Sequence, residues 1–181
     1  MTRKHALIIG GTGMLKGVSL WLTELGFKVS VIGRSERKHL DLEKRSGNPG
    51  LINHLMLDYN DHSKLEKEMR SVIEKDGPIS IVVSWTPSLS ALELVSNVVS
   101  ERSSEWKLYQ IKGSRRFFED DRLTISTNCK HRSIYLGFVI ENHQSRWLSN
   151  TEIAEGVITS IEEDRTESII GRLHPYEDRP R

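Results

Sequence analysis

Residues 5–33 run His5-Ala6-Leu7-Ile8-Ile9-Gly10-Gly11-Thr12-Gly13-Met14-Leu15, continue through Val18, Leu22 and Leu25 to Gly26, and close with Lys28-Val29-Ser30-Val31-Ile32-Gly33. Ala6 to Ile9 is continuously apolar and ends in glycine, the pattern of a parallel strand buried on both faces. Leu15, Val18, Leu22 and Leu25 recur at helical spacing, and Gly26 is placed to cap the helix C-terminus. Lys28 to Ile32 alternates and stops at Gly33, which reads as a second strand. Strand, helix and strand within about 30 residues make a βαβ unit.

The alternation continues outward from that unit. Ser35 to Arg45 reads as a short exposed helix, and Ser46-Gly47-Asn48-Pro49-Gly50 as a turn cluster. A third strand is expected at Asn53 to Leu57, ending at Asp58. Asp61 then N-caps a helix with the stripe Leu65, Met69, Val72 and Ile73, stopped by Gly77-Pro78. Ile79 to Val83 is the fourth strand, followed by a Pro87 turn and a helix carrying Leu92, Val95 and Val99. Trp106 to Ile111 is the fifth, ending at Gly113-Ser114. Arg115 to Arg132 is polar and reads as loop with at most one short strand, and Ser133 to Ile140 as a sixth strand. Ser149 and Glu152 have capping-box spacing and open a helix with Ile153, Val157 and Ile161 on one face. Ser168 to Leu173 is a final strand, and His174-Pro175-Tyr176 begins a tail. This order specifies an α/β, three-layer Rossmann fold: a mostly parallel sheet of about seven strands with helices on both faces, residues 1–181 forming one domain.

Composition narrows the function. With 26 basic and 25 acidic side chains among 181 residues, the net charge of +1 argues against nucleic-acid binding driven by bulk electrostatics. No apolar stretch approaches the roughly 18 residues of a membrane span. Arg3-Lys4-His5 before an apolar run superficially resembles a secretory signal, but Gly10-Gly11-Thr12-Gly13 breaks the run and Lys16 would fall inside it. A cytoplasmic protein is expected. The single cysteine, Cys129, excludes an internal disulfide, and the seven histidines show no ligand spacing, so no metal site is expected. Cys129 reads as an incidental thiol, and His131, His143 and His174 as surface residues rather than acid–base groups. Arg115-Arg116 reads as a solvated basic pair, and Ser145-Arg146-Trp147 as lining either the crevice or a subunit contact.

Gly10-Gly11-Thr12-Gly13 lies between a strand and a helix, where amides at the helix N-terminus can face a pyrophosphate and residues without side chains allow close approach. A structural turn with no ligand is the alternative. The end of the second strand bears on which dinucleotide fits. NAD binding employs an acid there for the ribose 2′-OH, whereas this chain has Gly33-Arg34-Ser35-Glu36-Arg37-Lys38. A guanidinium can pair bidentately with a phosphate and a serine hydroxyl can donate to it, which favours NADP(H) over NAD(H). Lys38 to Arg45 reads as a solvated charge run.

The loop Gly10-Gly11-Thr12-Gly13-Met14-Leu15 resembles the nucleotide-binding loop of the short-chain dehydrogenase/reductase superfamily, with Gly33-Arg34-Ser35 and Asp58 adding to the likeness over residues 1–114. The resemblance implies a dinucleotide cofactor held by Gly10, Gly11, Thr12, Gly13, Met14, Leu15, Arg34, Ser35, Arg37, Asp58, Tyr59, Ser84, Trp85 and Thr86. Asp58 either approaches the adenine amine or closes the loop before the next helix. Trp85 either covers the cofactor or packs. The superfamily's third glycine would fall at Lys16, which either crowds the helix–strand contact or reaches a phosphate. Its Asn-Ala-Gly segment after the fourth strand is replaced by Ser84-Trp85-Thr86. Ser114 stands where its catalytic serine ends the fifth strand, yet no Tyr-x-x-x-Lys pair exists anywhere in the chain, as though the helix bearing it were omitted. Ser114 and Lys112 are then the nearest catalytic candidates. Two functions are expected to compete: an NADP-dependent oxidoreductase acting on an unknown small molecule, and a noncatalytic NADP(H) sensor that signals to a protein partner. A Rossmann domain for a flavin or a nucleotide sugar is a cruder third. A homodimer is the oligomer expected by analogy with related folds.

Overall fold

A computed structural model describes residues 3–119 and 123–181. Seven parallel strands form one sheet: β1 (His5–Ile9), β2 (Lys28–Gly33), β3 (Ile52–Met56), β4 (Ile79–Trp85), β5 (Trp106–Gly113), β6 (Cys129–Leu136) and, after a short hairpin, β9 (Glu167–Ile170). Their order is β3-β2-β1-β4-β5-β6-β9, so the direction of strand progression reverses between β1 and β4. Ligands bind at such a switch point, beyond the carboxyl ends of the strands.

Helices α1 (Lys16–Glu24), α2 (Glu36–Arg45) and α5 (Asn150–Glu163) cover one face, and α3 (His62–Asp76) and α4 (Leu89–Arg102) the other. Strand parity sorts the core. Ala6, Ile8, Val29 and Val31 pack under α1 and α5, whereas Leu7, Ile9, Val82 and Leu108 pack under α3 and α4. Local capping agrees with the sequence. Asp61 accepts from Lys64 N, and Ser149 and Glu152 form both bonds of the capping box that starts α5. Gly26 takes φ +89° just beyond α1. The helix at 36–45 is less exposed than its charge suggests, because His39 and Leu42 are buried.

Three segments depart from expectation. The strand expected at 133–140 is cut at Gly137, where a Cβ would collide with the backbone carbonyl of Arg172. Gly137 N instead donates to Ile170 O at 2.8 Å, and the chain leaves the sheet. It forms the antiparallel hairpin β7 (Phe138–Glu141) and β8 (Gln144–Trp147), which carries Ser145, Arg146 and Trp147. The segment 115–132, expected as loop with at most one short strand, supplies the first half of β6 from Cys129, paired with β5 and continuous with the strand expected from Ser133. The last strand ends at Ile170 rather than Leu173, since Arg172 turns to exchange two 2.9 Å backbone bonds with Phe138.

Between β5 and β6 the described residues contain a 3₁₀ turn at Ser114–Phe118 and an irregular run at 123–128. Leu123 and Ile125 rest on the α3–α4 core, Thr124 N donates to Glu93 at 3.3 Å, and Asn128 Nδ2 donates to Ser100 O and Ser103 O. Irregular chain thus covers sheet surface where the resemblance would put a catalytic helix.

Candidate functional site: a glycine cradle and an adjoining cavity

The turn after β1 is shaped by what its glycines touch. Gly10 has φ +90°, and a Cβ there would meet Trp85. A Cβ on Gly11 would lie 2.5 Å from Ser19 Oγ and 2.8 Å from Ile8. Gly33 is equally constrained, since its Cβ would meet Thr12 Oγ1 at 2.8 Å, and this locks the turn onto the end of β2. Gly13 differs. Among the described residues the only atom within 4 Å of its absent side chain is Lys38 Nζ, 3.8 Å away. Gly10 O accepts from the amides of Gly13 and Leu15, while the amides of Gly11, Thr12 and Met14 have no acceptor among the described residues. Free donors ahead of a nine-residue helix, beside an open glycine and an ammonium, form a cradle fitted to an anion.

Positive charge gathers around it. Thr12, Gly13, Lys16, Arg37, Lys38 and Lys44 share a cavity of about 500 Å³ with Asp41. Lys16 neither crowds the strand nor stands alone, because its Nζ pairs with Asp41 Oδ2 at 3.0 Å. That bond and the one from Arg45 hold the Asp41 carboxyl below its ordinary range. Gly17, one place on, fits a different contact: its Cβ would lie 2.8 Å from Ala154 of α5. Lys38, grouped by sequence with a solvated run, is the cation nearest the cradle.

The other sequence candidates divide by burial. Arg34 is largely exposed beyond β2, with an amine 3.9 Å from Asp58 Oδ2. Ser35 caps α2 by accepting from Lys38 N. Asp58 closes its turn by accepting from Asn60 N at 2.9 Å. Tyr59 packs on the α3–α4 core. Leu15 and Ser84 are fully buried, and the Ser84 hydroxyl has no partner among the described residues. Thr86 Oγ1 accepts from Ser88 N. Trp85 does two things at once, packing on Gly10 and lining a second cavity.

That second cavity, of about 430 Å³, lies at the carboxyl ends of β4, β5 and β6. It runs from Met14 of the cradle past Trp85 to Ser114, with Trp147 of the hairpin and Tyr176 of the tail closing it. Ser114 Oγ is 3.5 Å from Tyr176 Oη. Lys112 is buried on the other face of β5, its Nζ 5.2 Å from the Tyr135 ring centroid, and is not among the lining residues. The sequence puts Tyr176 in a tail, and no local pattern signals its approach to Ser114.

Other candidates lie elsewhere. Burial pushes the Cys129 thiol up to about 12, which leaves it protonated and unreactive near neutrality. His131 Nε2 bonds Gln110 Oε1 at 2.8 Å, His143 sits at the exposed hairpin turn, and His174 packs on Phe117 and Phe118. Arg115 pairs with Glu119, and Arg146 with Glu141 and Glu152. No group of three metal-ligating side chains occurs among the described residues, and no described helix is long and apolar enough to cross a membrane.

Comparison with known proteins separates sequence from fold. No protein family's sequence model matches the chain, and no curated protein matches it. Solved structures do. A short-chain dehydrogenase/reductase family oxidoreductase from Aeromonas hydrophila superposes with a TM-score of 0.71 at 17% identity, covering 93% of this chain and 98% of that one. A short chain dehydrogenase from Bacillus anthracis gives 0.72 at 14% identity over 93% and 94%. The fold is that of the short-chain dehydrogenases/reductases. An actinorhodin polyketide ketoreductase variant, crystallised with NADPH, likewise gives 0.72 at 14% identity over 93% and 97%. Identities this low carry the architecture alone.

Proposed function

We propose that the chain binds NADP(H), with the diphosphate on the amides of Gly11, Thr12 and Met14 and the 2′-phosphate beside Arg34 and Ser35, and acts as an oxidoreductase on a small carbonyl compound. The cradle carries this reading: three unpaired amides, an open Gly13 and the Lys38 ammonium converge where a dianionic bridge would sit. Arg34 supports the phosphorylated dinucleotide, because its guanidinium is exposed and its nearest carboxylate is 3.9 Å away, too far for a tight bidentate pair. When bound, the reduced dinucleotide supplies a hydride. The chain's own part is to anchor it through the loop, to present a carbonyl in the 430 Å³ cavity, and to give up a proton there.

Thermal-shift measurements with NADP⁺, NADPH, NAD⁺ and NADH test the binding claim. A ligand at 100 times its Kd stabilises the folded state by about 2.7 kcal/mol, so the two phosphorylated forms should raise Tm well above the other two. Equal shifts from all four would remove the role given to Arg34. A second reading, a noncatalytic sensor of the NADP(H) pool, draws on the missing Tyr-x-x-x-Lys pair. It predicts unequal affinity for oxidised and reduced forms without turnover on any carbonyl.

A further inference from the structure

Two hydroxyls from distant parts of the chain face one cavity. Ser114 Oγ and Tyr176 Oη are 3.5 Å apart, and both line the space that extends from Met14 to Trp147. That separation is too long for a strong O–H···O bond, which spans about 2.5–3.0 Å. A single acceptor oxygen about 2.8 Å from each would close a triangle on this base. The pair is therefore spaced to donate two hydrogen bonds to one carbonyl oxygen. Tyr176 is held in place by Phe118 and Arg179. Its ring lies 4.7 Å from that of Phe118, the Arg179 guanidinium covers it at 4.3 Å, and Arg179 Nη1 donates to its carbonyl at 2.9 Å. The Arg172–Phe138 bridge fixes the tail four residues earlier.

We propose that Tyr176, delivered by the C-terminal tail, is the proton donor for carbonyl reduction in this cavity, with Ser114 bound to the same oxygen, and that the substrate is an oxo acid with an apolar body. The proposal rests on the reading of the glycine loop as a dinucleotide cradle. In the reaction, the carbonyl carbon accepts a hydride from the reduced dinucleotide and the C=O π pair moves onto oxygen. That oxygen forms a bond to the Tyr176 hydroxyl proton as the phenolic O–H bond breaks. Water, which reaches the half-buried Tyr176, returns the proton, and Ser114 keeps its own. The walls choose the substrate class. Trp85, Leu136, Trp147 and Ile153 present apolar surface. Arg179 lines the cavity with no carboxylate partner among the described residues, whereas Arg115 is tied to Glu119 at 3.0 Å. A carboxylate on the substrate would satisfy Arg179, and a molecule of about a dozen non-hydrogen atoms suits a cavity of this size.

Phenylglyoxylate is the probe, acetophenone its uncharged counterpart, and Tyr176→Phe the variant. Titration calorimetry first measures NADP⁺ binding to wild type and variant, which should agree within twofold. With ¹³Cζ-tyrosine protein, the resonance missing from the variant identifies Tyr176 and should shift when phenylglyoxylate is added to the NADP⁺-loaded wild type. NADPH-dependent turnover of phenylglyoxylate should fall at least 100-fold in the variant, as expected on loss of a general acid. Arg179→Leu should raise KM for phenylglyoxylate at least tenfold more than that for acetophenone, because any loosening of Tyr176 acts on both ketones alike. An unmoved tyrosine resonance, variant turnover within threefold of wild type, or no wild-type turnover of phenylglyoxylate overturns the proposal while leaving the cradle standing. No heat from NADP⁺ on wild type overturns the cradle, and this proposal with it.

Discussion

Alanine at Gly11 and alanine at Gly13 should have opposite consequences, although the sites are two residues apart. At Gly11 the new methyl would lie 2.5 Å from Ser19 Oγ, 2.8 Å from Ile8 Cγ2 and 2.9 Å from Val31 Cγ1. All three neighbours are buried, and Ser19 is further tied by its hydroxyl to Gly11 O at 3.0 Å. Overpacking of this kind costs about 1–3 kcal/mol. An unfolding entropy of about 2.1 cal/mol/K per residue gives roughly 0.38 kcal/mol/K for 181 residues, so Tm should drop by about 3–8 °C. At Gly13 the methyl meets only Lys38 Nζ at 3.8 Å, and the backbone is not in the left-handed region. Alanine there restricts the unfolded chain and is worth about 0.4–1 kcal/mol, so Tm should hold or rise by up to about 3 °C. The same methyl projects into the cradle. Wild type with NADPH at 100 times its Kd should gain about 2.7 kcal/mol, or roughly 7 °C, and Gly13→Ala should lose most of that gain. Differential scanning fluorimetry with and without NADPH reads both effects. A Gly13→Ala protein as destabilised as Gly11→Ala, or one with the full NADPH shift, would refute the reasoning.

Three further outcomes are expected. Arg34→Ala should weaken NADPH binding by about 10- to 100-fold, the worth of a charge-assisted phosphate contact, and barely change NADH; calorimetry showing equal losses would contradict the assignment. Burial lowers the pKa of both His5 and His54 from 6.5, so the unfolded chain takes up their protons first as pH falls. Their contribution is complete above that value and is lost as pH drops through the folded ones, by up to about 1.4 kcal/mol per pH unit for each; urea melts between pH 5 and 7.5 should show it, and a flat profile would count against it. Asp164 accepts from Tyr109 Oη, Lys107 Nζ and Arg132 Nε at 2.7, 2.8 and 3.0 Å, and Arg132 above all holds its carboxyl well below the usual range. Asp164→Ala removes those bonds and forces alanine to φ +50°, so denaturant melts should show a loss of about 2–4 kcal/mol.

The βαβ opening, the Asp61 cap and the capping box at Ser149 were readable because each is a local pattern with one physical meaning. The break at Gly137 was not. The run 133–140 keeps its apolar character through the break, and the cause is a carbonyl 35 residues later, at Arg172. Asn142 was a usable hint, since Asn142 and His143 both take left-handed angles in the hairpin turn and asparagine tolerates them. The polar start of β6 hid its strand character, because the partners of Lys130, His131 and Arg132 are Glu105, Gln110 and Asp164, each more than twenty residues away in sequence. The same limit applies to the site. Glycine spacing exposes the cradle, but the place of Lys38 beside Gly13 and of Tyr176 beside Ser114 depends on tertiary folding that periodicity does not encode.

A crystal grown with NADPH is the most direct test of the cradle. Density for the diphosphate should lie against residues 11–14, with Lys38 Nζ beside it and the 2′-phosphate within reach of Arg34. An empty loop at millimolar NADPH, or a dinucleotide bound elsewhere on the protein, would contradict the account.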